Sequence, residues 1–374
     1  MASSWSFDWE QSNWWKYRTN DTHLTGVFAN RFVSQTTQTL LGIYLSITGT
    51  CGLIANFLVL AMFIRTKGRL SPSSMVLLNL TVTDIFILFC GFPTHTLANF
   101  AGRWIYGDLG CALYGFFGFF FGTAHIGSLS ILSYEQYRMI SEMKPDSCPT
   151  QKYLDRLHHR YRTYVILIWC FSLFWASLPL VGWSRYYYEP YGTACTIDWQ
   201  TNDFRYRTYI IAYFIGGYVF PFGLMIYSYT RIVLMKRAYR ILHGRQLSIK
   251  ADIIGTLKEN REEDLTLLAV LTVITFVVTW TPYAVLCVYC VFADPASVPT
   301  SMILAPSICA KTSGCVNPFI YTFTSKNMRD GMMESLNKMR IPQLLPASNL
   351  KEINATFLAD DQPAENGLRG DSQE

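Results

Sequence analysis

Ile308-Cys309-Ala310-Lys311-Thr312-Ser313-Gly314-Cys315-Val316-Asn317-Pro318-Phe319-Ile320-Tyr321 lies within an apolar stretch running from about Met302 to Thr324, and it carries a lysine. At ~1.5 Å rise per residue Lys311 sits on the order of 13 Å from the start of that stretch, beyond what a lysine stem covers by snorkelling to an interface. An ammonium at membrane depth is costly, so it must be paired, neutralised or converted into something else. One solution is an interhelical ion pair or a neutral amine facing a wet cavity; the other is a Schiff base to a carbonyl ligand. Position alone leaves both open.

The rest of the chain supplies the membrane. Of 374 residues, 51% are hydrophobic, 16% aromatic and only 15% charged, against about 25% charged in soluble domains. The N-terminal segment with Trp5, Trp14, Trp15, Lys16 and Arg18 has no apolar core of the signal-peptide kind, so the first span is expected to act as the targeting signal. The net charge of +5 would suit nucleic acid, but the basic residues fall between apolar runs and report orientation instead. No nucleic-acid partner is expected.

Apolar runs of spanning length occur at roughly 38–64, 74–99, 110–133, 163–182, 208–234, 265–292 and 302–324, each close to the ~20 residues that cross a hydrocarbon core. The expectation is an all-α membrane protein: an extracellular N-terminus (1–37), a seven-transmembrane helix bundle (38–324), a short amphipathic cytoplasmic helix (325–340) and a disordered cytoplasmic tail (341–374). Lys and Arg crowd the loops after spans one (Arg65, Lys67, Arg69), three (Arg138, Lys144, Lys152, Arg156, Arg160, Arg162) and five (Arg231, Lys236, Arg237, Arg240, Arg245, Lys250, Lys258, Arg261). The loops after spans two and six offer only Arg103, which puts the N-terminus outside and the C-terminus in the cytoplasm. Asn20-Asp21-Thr22 is then a usable glycosylation sequon, whereas Asn79 within a span and Asn354 in the tail are chance matches.

Asp84 in span two is a second ionisable group at membrane depth, expected as a buried polar node with Asn56 and Asn317 and open to a structural, ion-binding or switching reading. Of the ten cysteines, Cys111 and Cys195 both face the oxidising side and could bridge. After Tyr321, Met328, Met332, Met333, Leu336 and Met339 fall on one helical face, as an amphipathic helix on the inner leaflet requires. No cysteine follows Tyr321, so no palmitoyl anchor is expected there. No nucleophile–base pair, metal-ligand cluster or phosphate loop rises above chance, and His158-His159 lies in a basic loop without suitable partners; no enzyme and no metal site are expected.

Asn56, Asn79, Asp84, Trp169, the Cys111 and Cys195 pair, Pro221 with Tyr229, Trp280-Thr281-Pro282-Tyr283 and Asn317-Pro318-Phe319-Ile320-Tyr321 together resemble a rhodopsin-type G-protein-coupled receptor, from about residue 38 to 340. Lys311, six residues before Asn317, resembles specifically the retinal-binding lysine of the opsins. The resemblance implies a light-sensing receptor, retinal bound as a protonated Schiff base (11-cis in the dark, all-trans after light), and a location in the plasma membrane or a photoreceptor membrane. It also implies a pocket at Tyr114, Gly118, Gly122, Tyr218, Trp280, Tyr283 and Ser307. Trp280 offers a flat wall, and Phe116, Phe117, Phe119, Phe120 and Phe121 crowd span three, where they can line that pocket. Pro282 and Pro318 each remove a backbone hydrogen bond and supply two-state elements.

A buried protonated Schiff base needs an anion. Vertebrate visual opsins place a glutamate three residues after the span-three cysteine; here that position is Tyr114, and a phenol is a poor anion. The resemblance instead points to Glu189, six residues before Cys195, the second-loop acid of many bistable opsins, with Asp198 the weaker competitor. A bistable pigment is the expectation. The expected activation switch comprises Asp84, Glu135, Gln136, Tyr137, Tyr229, Glu262, Asn317, Pro318 and Tyr321. Gln136 stands where the family places an arginine that pairs with the base of span six, so the latch and the G-protein contact of that arginine do not carry over. A heterotrimeric G protein is the expected partner, with Ser325-Lys326-Asn327 leaning to the Gi/Go class, and arrestin, receptor kinase and membrane lipid beside it. Two alternatives stand: an opsin-type retinal photoisomerase with weak signalling, and a ligand-activated receptor in which Lys311 is merely paired.

Overall fold

The computed structural model describes residues 33–65, 72–142, 151–243, 249–324 and 326–344. Asn20, Lys67, Arg69, Lys144, Cys148, Arg245, Ser325, the side chain of Glu262 and the tail from 345 lie outside the described residues, and so do the expectations attached to them.

The helices are α1 (Gln35–Arg65), α2 (Pro72–Phe100), α3 (Gly107–Glu142), α4 (Gln151–Ser177), α5, α6 (Ile249–Phe292), α7 (Thr300–Thr324) and α8 (Lys326–Leu344). Helix α5 runs as Phe204–Tyr213, a π-helical segment Phe214–Val219 and Phe220–His243. Helices α1 to α6 are each long and apolar enough to cross a membrane. Helix α7, 25 residues long, is the more polar seventh, because Ser307, Ser313 and Asn317 turn into the bundle instead of toward lipid. It packs on α1, α2 and α6 and closes the ring, while α3 runs through the middle against α2, α4, α5 and α6. Trp169 Nε1 donates to Asn79 Oδ1 at 3.0 Å, and Asn79 Nδ2 donates to Ser128 Oγ at 2.8 Å, tying α4, α2 and α3 together.

The π-helical segment has a local cause. Pro221 has no N–H for the carbonyl of Gly217, so the i→i−4 ladder must be re-registered just before it. Gly216 packs on the Trp175 ring, where an added Cβ would come within 2.7 Å. The Pro221 carbonyl receives Ser130 Oγ of α3 at 3.2 Å.

Helices also extend beyond the apolar runs, which corrects the loop assignments. Helix α3 runs to Glu142 and α4 begins at Gln151, so Lys152, Arg156, His158, His159, Arg160 and Arg162 are helical. His158 has a partner, with Nδ1 3.3 Å from Met75 Sδ. Arg231, Lys236, Arg237 and Arg240 extend α5, and Lys250, Lys258 and Arg261 open α6. Charged residues of good helix propensity continue a helix into water as readily as they form a loop.

The segment between α4 and α5 is a β-hairpin, β1 (Tyr186–Tyr188) antiparallel to β2 (Cys195–Ile197) with Tyr188 opposite Cys195. Its turn uses Gly192 at φ 77°. The Cys111–Cys195 disulfide, with Cα atoms 5.3 Å apart, fixes β2 to the start of α3. Gly115 of α3 makes room for the Tyr186 ring, which a Cβ would approach to 2.4 Å.

At the other end α8 docks on α1 and α7. Met328, Met332 and Ser335 are buried, and Arg65 donates to the Ser335 carbonyl at 2.9 Å. Met333 is 53% exposed and does not share the docked face.

Candidate functional site

Lys311 sits one helical turn after Ser307 on α7, so both side chains point to the same face, and Nζ donates to Ser307 Oγ at 2.8 Å. Its other two donors go to the hairpin: Glu189 Oε1 at 2.8 Å and Tyr191 Oη at 3.0 Å. Ser307 Oγ in turn lies 2.9 Å from Glu189 Oε2 and 2.9 Å from Tyr191 Oη. Glu189 is held by its backbone: its N–H donates to the Ala194 carbonyl and its carbonyl accepts from Gly192, both at 2.9 Å. The carboxylate is 2% exposed, and a buried carboxylate survives as an ion only with such partners.

The rival acid lies elsewhere. Asp198 accepts from Arg185 Nε at 2.8 Å, from Thr201 Oγ1 at 2.7 Å and from the N–H groups of Gln200 and Thr201 at 3.0 Å each. Its oxygens are committed within the segment between α4 and α5.

From the Lys311 ammonium a cavity of about 150 Å³ extends between α3, α5 and α6. Tyr114, Gly118, Gly122, Tyr218, Trp280, Tyr283 and Ser307 all line it. Trp280 Nε1 donates to Ser313 Oγ at 2.8 Å, Tyr283 Oη to Thr196 Oγ1 at 2.9 Å, and Tyr218 Oη is 2.5 Å from Thr281 Oγ1. The polar tips of the aromatic wall are thereby spent on the protein, and ring faces are left for the cavity. Of the five phenylalanines on α3 only Phe117 and Phe119 line it. Phe121 stacks on Phe86 at 4.9 Å and Phe120 packs on Trp169 at 5.2 Å, because consecutive helical positions fan around the axis.

An amine at one end, a long apolar wall, and glycines that leave room are what an elongated apolar aldehyde needs. A Cβ on Gly118 would meet nothing within 4 Å. At the amine end His95 is 1% exposed and its Nε2 has no partner among the described residues, a polar atom left over beside the site. The residues fit retinal.

Below the cavity Asp84 is fully buried, accepting from Asn317 Nδ2 at 2.8 Å and facing His125 Nδ1 at 2.8 Å. Asn56 reaches α7 differently from the expected node, with Nδ2 donating to the Gly314 and Gly52 carbonyls at 3.1 Å and 2.9 Å. Toward the C-terminal end of α3 Glu135 pairs with Arg160 of α4 at 3.1 Å, Gln136 is buried, and Arg138 pairs along its own helix with Glu142. Ser133 Oγ lies 3.2 Å from Tyr229 Oη, and the Tyr137 ring faces Arg231 at 5.9 Å. Pro318 and Tyr321 are buried on α7.

Two participants were missed in the sequence, Tyr191 and His125. Histidine at membrane depth carried the same signal as Lys311. Tyr191 sits in a tyrosine-rich loop, and its partner is 120 residues away.

Residues 55–321 match the family described as the 7 transmembrane receptor (rhodopsin family). The chain is 28% identical over 325 residues to the visual pigment-like receptor peropsin of Homo sapiens, covering 86% of this chain and 91% of that one. It is 30% identical over 297 residues to a G0-coupled rhodopsin of Mizuhopecten yessoensis, covering 79% and 71%. The crystal structure of squid rhodopsin superposes with a TM-score of 0.75 at 26% identity, covering 89% of this chain and 94% of that one.

Proposed function

Because the chain belongs to the rhodopsin family of seven-transmembrane receptors and is of opsin type, we propose that it is a light-sensing receptor that carries retinal on Lys311, with Glu189 as counterion. The observation that carries this reading is the placement of the Lys311–Glu189 pair, 2.8 Å apart, at the end of an apolar cavity. A merely structural ion pair needs no such cavity, and close packing would close it.

Retinal would supply an aldehyde for a Schiff base with Lys311 and a polyene that absorbs light and isomerises. The chain's own part is electrostatic and steric. Glu189 holds positive charge on the Lys311 nitrogen in a site dry enough for that charge to need it. Ser307 fixes the carboxylate from α7, and β2 roofs the site through the disulfide to α3. Trp280 is braced against Ser313 of α7 and sits above Phe276, ring centroids 5.8 Å apart, so a push on its ring is delivered to α6 and α7 together. Asn317, bonded to Asp84, precedes Pro318, where α7 lacks a backbone hydrogen bond and can bend.

Glu189 in the roof, with Tyr114 in the wall, supports a bistable pigment. Coupling is to a heterotrimeric G protein, with Gi/Go favoured by Ser325-Lys326-Asn327. A second reading, retinal photoisomerase with weak signalling, is favoured by one feature: Glu135 is paired sideways with Arg160 and Gln136 provides no guanidinium for a latch to α6. The bound isomer separates the two, all-trans in the dark for a photoisomerase and 11-cis for a signalling pigment.

The test is the absorption spectrum after regeneration with 11-cis retinal, before and after light. The parent should give a visible band that a second wavelength restores, Lys311→Ala should give none, and Glu189→Gln should move it to the ultraviolet near neutral pH. Absence of any imine band in the parent overturns the retinal reading; a band indifferent to Glu189→Gln overturns the counterion.

A further inference from the structure

Three acceptors surround the Lys311 nitrogen, and an ammonium has three hydrogens to give them: Glu189 Oε1 at 2.8 Å, Ser307 Oγ at 2.8 Å and Tyr191 Oη at 3.0 Å. The set is complete. It cannot stay complete once the amine is joined to an aldehyde. The carbonyl oxygen leaves as water with two of the three nitrogen hydrogens, a C=N bond replaces C=O, and the positive charge stays with the one remaining N–H. Two of the three acceptors lose their donor.

The remaining N–H belongs with the carboxylate, where a charge-assisted hydrogen bond is strongest. Ser307 and Tyr191 each keep one O–H, and both lie beside Glu189: Ser307 Oγ is 2.9 Å from Oε2, and Tyr191 Oη is 2.9 Å from Ser307 Oγ. We propose that Tyr191 is a positioning residue for the counterion, its phenol turning from acceptor of the Lys311 ammonium to donor in the chain that ends on Glu189 and holding that carboxylate to the Schiff-base nitrogen. The proposal rests on the retinal reading above and adds a residue to it.

Two further observations support it. Tyr191 is 4% exposed, and burial first, then the Glu189 charge, hold its phenol well above the usual tyrosine range, so it keeps its proton and remains a donor. Its ring also stands 5.8 Å from Nζ, which keeps the side chain beside the nitrogen by a cation–π contact whatever its hydroxyl does. The other titratable groups within electrostatic reach of the pair are His95 from α2, Tyr114 from α3, and Tyr283 and Cys287 from α6. Tyr283 spends its hydroxyl on Thr196, and no hydrogen bond joins His95, Tyr114 or Cys287 to the Lys311 nitrogen among the described residues.

The test is Tyr191→Phe, which removes one oxygen and keeps the ring, beside the parent, Lys311→Ala and Ser307→Ala. A carboxylate no longer held to the nitrogen stabilises the protonated Schiff base less, so the imine gives its proton to bulk solvent at lower pH. In Tyr191→Phe the conversion of the visible band to an ultraviolet one on raising pH should therefore move down by about one unit, tenfold in proton activity, as loss of a hydrogen bond to a charged group implies. Hydroxylamine should bleach the dark pigment several-fold faster. In retinal-free protein, reductive methylation of Lys311 by formaldehyde and cyanoborohydride, followed by mass spectrometry, should run several-fold faster at neutral pH, because one acceptor holding the ammonium is gone. An unchanged pH transition in Tyr191→Phe overturns the inference while the parent's visible band leaves the retinal reading standing. A parent without a band removes both.

Discussion

His125 Nδ1 lies 2.8 Å from Asp84 Oδ1 with both side chains buried, an ion-pair geometry joining α3 to α2 in the middle of the bundle. Asn317 adds α7 to the same carboxylate. Removing one member of a buried pair leaves the other unsatisfied, at a cost of about 3 kcal/mol. His125→Leu should therefore lower the temperature at which half the detergent-solubilised receptor survives by about 5 °C or more. Asp84→Asn with His125→Asn should recover much of the loss, since an amide pair restores hydrogen bonding without a buried charge. A loss in the double variant equal to the sum of the losses in Asp84→Asn and His125→Asn alone would mean that the two side chains are not coupled.

Asp198 tests the counterion from the other side. Four donors converge on it from Arg185, Gln200 and Thr201, so Asp198→Asn should destabilise the segment between α4 and α5 by about 1–3 kcal/mol and speed thermal loss of the pigment. The visible band should stay where it is. A move to the ultraviolet in Asp198→Asn would transfer the counterion role from Glu189 to Asp198.

Much of this was legible in the chain because the membrane leaves few choices. Spans follow from apolar length, and Lys311 from the cost of an ammonium at depth. Glu189 was readable only through resemblance: nothing local distinguishes it from a solvated loop acid until the Cys111–Cys195 bridge folds the hairpin inward. The hairpin was not legible, since its strands are three residues each and are stabilised by packing on α3. Tyr191 and the inward choice between Phe117 and Phe121 depend on helix rotation and long-range pairing, which periodicity does not set in a segment apolar on every side.

Gln136 can be tested by restoring what the family usually has. Glu135 is 1% exposed and paired with Arg160 across to α4, leaving α3 without a guanidinium of its own at the buried position 136. Gln136→Arg should place one there, compete with Arg160 for Glu135 in the dark, and reach the cytoplasmic opening after light. Light-dependent nucleotide exchange on Gi or Go should rise several-fold while the absorption band stays unchanged. No rise with either G protein or with Gq would favour the photoisomerase reading.

Two glycines on one face of α3 separate the cavity from the fold that encloses it. A Cβ at Gly115 would come within 2.4 Å of the Tyr186 ring, whereas at Gly118 it would meet nothing within 4 Å. Gly115→Ala should therefore push the hairpin off α3 and reduce the yield of folded receptor even without retinal. Gly118→Leu relieves a glycine in a helix interior, a change worth up to about 0.8 kcal/mol in favour of the helix, and fills space that the protein itself does not use. Folding yield should be normal, and uptake of 11-cis retinal should weaken by about 1–3 kcal/mol, roughly five- to 150-fold. Normal uptake in Gly118→Leu would mean that the ligand does not pass this point on α3, and the cavity's long apolar arm would lose its assigned occupant.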